Sequence, residues 1–323
     1  MKGLIKLIKK AKKIALFSHT NPDPDTIGSV LALGLGLEKI GKDVSLFCDT
    51  DDGEKYAFLG YYDRYNTNDI DENFDLMIAV DVPTIEKLGK FAEKFLSHDN
   101  NAKLDHHKTC EDYAKLNIMI PYSACAILVY ELLKKLKVKI DSDIATFLYF
   151  AICGDTGLFK YNNTDSKTFL VASKLLEFGA RIRDVYENFF DKFSVPDVML
   201  KAKVTLDAKL YDELGYAIMI VKRSDFEKYG VKNGNMLRNL PHTFLNCGYK
   251  MAAILREEDD GIHCSLRSKF EYDCNEVAVK FGGGGHKNAA GLTIQKPINE
   301  ACKMIELEIK KYLSQMEEKI NVN

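Results

Sequence analysis

Residues 14–41 read IALFSHTNPDPDTIGSVLALGLGLEKIG. The first six, IALFSH, are a short apolar run of the kind that becomes a buried strand, and IGSVLALGLGLEKIG (27–41) spaces its apolar residues as a helix does. Between them a loop carries His19, Asp23 and Asp25 together with Pro22 and Pro24. The pattern continues along the first half of the chain. VSLFCD (44–49), FDLMIAVDV (74–82) and NAKLDHH (101–107) read as strands, while EKLGKFAEKF, SACAILVYELLKKL and SDIATFLYFAICGDTG have helical spacing. Strands alternating with helices predict an α/β domain with a doubly wound, mostly parallel sheet.

Such sheets carry their sites in loops beyond the carboxyl ends of the strands. Acids and histidines recur in those places: His19, Asp23 and Asp25 after the first strand, Asp81 after DLMIAV, and Asp105, His106 and His107 at the end of NAKLDHH. Asp155, in ICGDTGLF, follows a helical run. Taken singly, each group has a plain structural alternative, as a turn former or a helix cap. Together they make four clusters, three of them at strand ends of one domain. Imidazole with carboxylate suits Mn²⁺, Zn²⁺ or Fe²⁺. Each proline disfavours helical geometry in the residue before it, which predicts an extended Asp23 that points away from Asp25. Ser123 reads as the N-cap of the helix SACAILVYELL.

The 323 residues suffice for two domains, with 46% hydrophobic and 28% charged residues and a formal net charge of −2. A balance so near zero supplies no global field for long nucleic acid, although a short anionic substrate remains compatible with it. Eight scattered cysteines without a CxxC pair read as reduced, mostly buried thiols of a cytoplasmic protein. The N-terminus carries six lysines in its first thirteen residues, but the apolar run that follows is too short for a signal segment, so it reads as an amphipathic surface helix. No stretch reaches the ~18 apolar residues of a membrane span.

Residues 181–212 are polar and helical and read as a linker between domains at 1–180 and 213–323. In the second half, strands return as GYAIMIVK (215–222), GYKMAAILREE (248–258) and GIHCSLRSK (261–269), with DDG (259–261) as a hairpin turn. FGGGGHKNAAG, GLTIQ and a helix from Asn299 complete a smaller α+β domain. Arg267 can grip a phosphate bidentately, and Gly282, Gly283, Gly284 and Gly285 can bring backbone N–H groups to an anion, particularly if a helix begins there.

The order and spacing of HTNPDPDTIGS, AVDVPT, LDHHKT and GDTGLF resemble those of the DHH phosphoesterases, and SLRSK with FGGGGHKNAAG resembles their DHH-associated C-terminal domain. The resemblance spans nearly the whole chain and is nearest to the nanoRNase and adenosine-bisphosphate phosphatase branch. It implies two Mn²⁺ ions, Mg²⁺ or other divalent ions being alternatives. One would be held by His19, Asp23 and Asp81, the other by Asp25, Asp81, His106 and Asp155, in a cleft between the domains. It further implies catalytic roles for Asp81, for His107 and for Asp105, the last orienting His106. Substrate contacts would come from Arg267, Ser268, the four glycines and His286. Two residues depart from the branch's usual NPDGDAIGS, namely Pro24 and Thr26.

The activity implied is hydrolysis of short RNA or DNA oligonucleotides to nucleoside monophosphates. The alternatives are 3′-phosphoadenosine-5′-phosphate phosphatase, cyclic-dinucleotide phosphodiesterase, inorganic pyrophosphatase and, last, an inactive nucleotide-binding regulator. No long duplex and no membrane are expected as partners, and a homodimer through the first domain is allowed.

Overall fold

The structure is a computed structural model that describes residues 1–50, 53–60, 64–70, 73–107, 109–231 and 234–321. Lys108 of the LDHHKT motif lies outside them. The chain divides into two compact units, Met1–Lys192 and Phe193–Asn323. The residues read as a linker are shared by both: Val185 is buried in the first core, and Leu200 and Val204 in a core of the second.

In the first unit six strands, β1 (Lys13–Phe17), β2 (Asp43–Phe47), β3 (Tyr65–Asn66), β4 (Leu76–Val80), β5 (Asn101–Asp105) and β6 (Leu116–Met119), form a wholly parallel sheet ordered β3-β2-β1-β4-β5-β6. The chain runs outward from β1 to β3, then returns to β4 beside β1 and runs outward the other way. The reversal opens a crevice at the carboxyl ends of β1 and β4, where open α/β sheets bind ligands.

Both faces of this sheet are covered. Ile14 and Leu16 point to a core shared with the helices Pro24–Glu38, Cys125–Lys135 and Ser142–Asp155. Ala15 and Phe17 point to the opposite core, where Phe47, Phe74, Phe91 and Phe95 cluster. Strands buried on both sides read as continuous apolar runs, which made β1, β2, β4 and β5 visible. EKLGKFAEKF differs from its helical reading: Gly89 (φ 58°) breaks it, leaving a 3₁₀ segment Ile85–Phe91 before the helix Ala92–Ser97. The lysine-rich N-terminus is a helix, Lys2–Lys10, with Leu4 and Ile8 buried. No helix among the described residues is long and apolar enough to cross a membrane.

The second unit has a mixed sheet of β7 (Lys209–Tyr211), β8 (Tyr216–Val221), β9 (Met251–Glu258), β10 (Gly261–Ser268), β11 (Gly284–His286) and β12 (Ala289–Ile294). Their order is β11-β12-β10-β9-β8-β7, antiparallel except for β8 with β9. One face packs on the helices Cys274–Val279 and Ile298–Asn321 through Leu255, Cys264, Leu266 and Leu292. On the other face Ala217, Met219, Ala252 and Ile254 are covered by Leu200, Leu237 and Phe244.

Candidate metal centre

The loop after β1 reaches the crevice first. Asp23 is extended (φ −94°, ψ 179°) and caps the helix Pro24–Glu38, accepting a hydrogen bond of 3.0 Å from the Thr26 N–H. Pro24 occupies the first helical position, where a fixed φ and a missing N–H cost nothing. The extended Asp23 is the geometry expected from the proline after it. At the second position of the helix, Asp25 is fully buried.

Asp81 follows β4. Its backbone lies in the left-handed region (φ 62°), uncommon for a side-chain-bearing residue, and its N–H is bonded to the Leu104 carbonyl at 2.9 Å. The carboxylate is 1% exposed. Thr26 Oγ1 donates to its Oδ2 at 2.6 Å, while Oδ1 has no hydrogen-bond partner. His106, past the end of β5, is anchored through Nδ1 to the Tyr122 carbonyl at 2.9 Å. Its Nε2 also lacks a hydrogen-bond partner, yet lies 3.1 Å from Asp155 Oδ2, 3.5 Å from Asp81 Oδ1 and 3.6 Å from Asp25 Oδ2. Asp155 ends the helix Ser142–Asp155. The turn after it holds Gly157, Leu158 and Phe159, all at positive φ.

Two triads emerge whose ligand atoms lie within 4.8 Å of one another: His19, Asp23 and Asp81 in one, Asp25, His106 and Asp155 in the other. Asp81 also groups with His106 and His107, so it stands between the sets. The six residues predicted as metal ligands are thus brought together. Buried, unpartnered Asp81 Oδ1 and His106 Nε2 fit a divalent ion, because such atoms cost free energy unless something binds them.

The electrostatics agree. Burial and the neighbouring Asp155 push the Asp25 carboxyl up to about 8. Burial, with Asp25 and Asp23 nearby, drives Asp81 well above the ordinary carboxylate range. Burial alone would lower His106, but Asp155, Asp25 and Asp81 outweigh it and hold the imidazole up to about 11. Asp23 goes the other way: burial opposes its charge, but His19 and the Thr26 N–H bring it to about 2. Acids this crowded need positive charge, and without an ion only protons supply it.

Three expectations are corrected. Asp105 does not orient His106; its Oδ1 accepts from the His107 N–H and contacts His107 Nδ1, each at 2.8 Å. Adjacent residues of an extended segment face opposite ways, so the aspartate reaches the histidine two residues on. Ser123 is not a helix N-cap. Its hydroxyl pairs with Thr168 Oγ1 at 2.6 Å, and the helix Cys125–Lys135 begins after Ala124. The N–H groups of Cys125 and Ala126 go instead to Asp25, at 2.6 and 3.1 Å. Ser268 is 5% exposed and its hydroxyl donates to the Tyr272 carbonyl at 2.8 Å, which ties the end of β10 to the loop that follows and removes it from a substrate face.

In the second unit Arg267 lies on β10, with Nη2 donating to Asn239 Oδ1 at 3.2 Å. No helix starts at the glycine run. Gly284, Gly285 and the exposed His286 form edge strand β11, and Gly282 and Gly283 lead into it. A Cβ on Gly283 would stand 2.4 Å from the Gly291 carbonyl oxygen, so close strand approach requires glycine there.

The DHH family N-terminal domain matches residues 13–152, and the DHHA1 domain matches residues 219–314. The bifunctional oligoribonuclease and PAP phosphatase NrnA of Bacillus subtilis is 29% identical over 301 residues, covering 90% of this chain and 92% of that protein. The protein of the same name from Mycoplasma genitalium is 29% identical over 313 residues, covering 92% and 93%. Among solved structures, an exopolyphosphatase-related protein from Bacteroides fragilis superposes with a TM-score of 0.88 at 25% identity, covering 98% of this chain and 97% of its own. RecJ of Thermus thermophilus shares the fold, with a TM-score of 0.55 at 14% identity, over 97% of this chain and 54% of its own. With its DHH triplet at residues 105–107 beside a buried cluster of carboxylates and imidazoles, the chain belongs to the DHH family of metal-dependent phosphoesterases.

Proposed function

We propose that the protein is a phosphodiesterase that hydrolyses short oligonucleotides to nucleoside monophosphates with two Mn²⁺ ions. The observation that carries the reading is the pair of triads that meet at Asp81. His19 and Asp23 would hold one ion, Asp25, His106 and Asp155 the other, with Asp81 serving both. Two such ions lower the pKa of an attacking water and neutralise both oxygens of an in-line displacement. Four carboxylates balance two divalent ions, so the centre tolerates a phosphate.

The protein's own groups do the rest. Tyr122, through its carbonyl, fixes the His106 ring so that Nε2 faces the carboxylates. Asp105 holds His107, whose ring stays 41% exposed and free to reach a phosphate or leaving oxygen. Arg267, the glycines 282–285 and His286 would bind the remainder of the substrate. The NrnA relatives, similar over nine-tenths of their length, support both the substrate class and the second activity their name carries, so 3′-phosphoadenosine-5′-phosphate is proposed as an additional substrate. A cytoplasmic location is part of the same proposal, supported by eight scattered cysteines without a CxxC pair.

The test is a panel of di- to decanucleotides, cyclic dinucleotides, adenosine bisphosphate and pyrophosphate, run with Mn²⁺ and resolved by length. Dinucleotides should be cleaved fastest. Silence on every nucleotide, matched by Asp81→Ala, would sink the enzyme reading in favour of a nucleotide-binding regulator; phosphate release from pyrophosphate alone would replace the substrate.

A further inference from the structure

Five consecutive residues, 122–126, are bonded to all three members of the second triad. The Tyr122 carbonyl holds His106 Nδ1 at 2.9 Å, and the N–H groups of Cys125 and Ala126 donate to Asp25 at 2.6 and 3.1 Å. Asp155 is reached through a further residue. Asn163 Nδ2 donates to the Ser123 carbonyl at 3.1 Å and to the Asp155 carbonyl at 3.0 Å. Both partners are carbonyl oxygens, so the amide must present its nitrogen to them.

The first triad is held by other means. His19 Nδ1 meets the Thr20 carbonyl at 2.7 Å, Asp23 accepts from the Thr26 N–H, and the Thr26 hydroxyl donates to Asp81. Among the described residues, no hydrogen bond runs from 122–126 or from Asn163 to His19, Asp23 or Asp81.

The place of Asp155 in the chain explains why it needs the amide. It is the last residue of the helix Ser142–Asp155, where the final carbonyls have no partner within the helix. The chain then turns through Gly157, Leu158 and Phe159 at φ 54°, 60° and 66°, a region easy only for the glycine. The Tyr161 ring lies on Gly157, where a Cβ would collide with it. A turn of this kind persists only when its surroundings over-determine it. Beyond it the next helix, Ser166–Glu177, is already fixed, capped by Asp165 and joined to Ser123 through Thr168 at 2.6 Å. Asn163 stands just before that cap and returns the chain to the Asp155 carbonyl.

We propose that Asn163 is a positioning residue for the metal centre. By joining the end of the Asp155 helix to the segment that carries His106 and Asp25, it sets the spacing of the second triad and leaves the first untouched. Partners that orient metal ligands are worth about 10–100-fold in metal affinity. The inference rests on the two-ion reading proposed above.

The experiment titrates Mn²⁺ alone into the whole chain, freed of metal by chelator and followed by calorimetry. Asp155→Ala identifies the ion of the second triad, and His19→Ala that of the first. Asn163→Leu keeps the shape of the side chain and removes both donors, while Asn163→Ala removes the side chain. Each should weaken the ion marked by Asp155→Ala about tenfold and change the other by less than about twofold. Full affinity for both ions in Asn163→Leu would reduce the residue to space filling and overturn the proposal. Equal weakening of both ions overturns it too; a metal-free Tm lowered by more than about 5 °C would then name general stability as the cause. Asn163 is exposed, so both variants should fold, and should Asn163→Leu not, Asn163→Ala decides.

Uptake of Mn²⁺ needs no substrate, so silence on every nucleotide would sink the proposed function and leave this comparison standing. If wild type takes up one ion, the two-ion reading fails and the inference is decided on that ion. Weakening by both Asp155→Ala and Asn163→Leu supports it; indifference to Asn163→Leu overturns it.

Discussion

The ring of Pro24 rests on Gly154: a Cβ built at Gly154 would stand 2.6 Å from Pro24 Cβ and 3.1 Å from Cγ. The proline that departs from the branch's usual glycine therefore has its counterpart 130 positions later, beside the candidate ligand Asp155. Gly154 lies inside a helix with ordinary backbone geometry, where alanine is intrinsically better by about 1 kcal/mol. In this chain Gly154→Ala should instead cost about 1–3 kcal/mol by overpacking and displace Asp155 from His106. Pro24→Gly vacates the space, so the double variant should recover the stability lost on Gly154→Ala. Thermal melting of the four proteins of the cycle measures the coupling; simple additivity would show that the contact carries no energy.

Thr26, the second departure, donates to Asp81 Oδ2 at 2.6 Å. Thr26→Val removes the donor while keeping the shape, leaving a buried carboxylate oxygen without its orienting bond. Half-saturation by Mn²⁺ should need about tenfold more metal, and Thr26→Ser should restore it. Titration of activity against metal concentration reads this directly. An unchanged midpoint in Thr26→Val would mean Asp81 is oriented by its left-handed backbone alone.

What the sequence made legible follows from how local each feature is. Doubly buried β1 and β4 announce themselves as LFSH and MIAVD runs, and the ligand candidates follow from strand ends. The edge strands β3 (two residues) and β6 (Leu116–Met119, of which only Ile118 is buried) bury too little to leave a pattern. The helix after β1 begins at Pro24, three residues before its apolar spacing does, because Asp23 and Pro24 form a cap rather than a face. Pairings across the chain were out of reach: Asp25 with Cys125, Thr26 with Asp81, Pro24 with Gly154 and Arg256 with Ser265 are set by packing, not by spacing. Asp105 with His107 was the exception, a two-residue relationship that strand alternation could have revealed.

Asp25 and Asp155 should separate catalysis from stability. Asp155 is partly exposed, and its carboxylate contacts only His106 among the described ion pairs. Asp25 accepts the first N–H groups of the helix Cys125–Lys135 and the hydroxyl of Ser29 at 3.1 Å. Alanine at either position should lower activity at least about a hundredfold through loss of a ligand. Only Asp25→Ala should also destabilise the metal-free protein, by about 2 kcal/mol, because it strands two buried N–H donors. Chemical denaturation in chelator distinguishes them; equal stability of the two variants would contradict the anchoring role.

Removal of the metal should give the first unit an inverted pH dependence. Asp25 is raised from 3.8 to about 8, Asp81 is also raised, and His106 is raised from 6.5 to about 11. All three hold more protons folded than unfolded, so stability is greatest below the unfolded values and is lost as pH climbs through the folded ones. Asp25 acts from about pH 4 to 8 and the imidazole from about 6.5 to 11, with Asp81 adding in the same sense; Asp23, lowered to about 2, works in the opposite sense only below pH 4. In chelator, Tm should therefore fall steadily between pH 5 and pH 9. Saturating Mn²⁺ should flatten or reverse that slope, because the ion replaces the protons and binds more tightly as they leave. Asp81→Asn, with one titrating carboxyl fewer, should show a shallower fall in chelator than wild type. A metal-free Tm that rises from pH 5 to pH 8 would mean the cluster does not carry those protons.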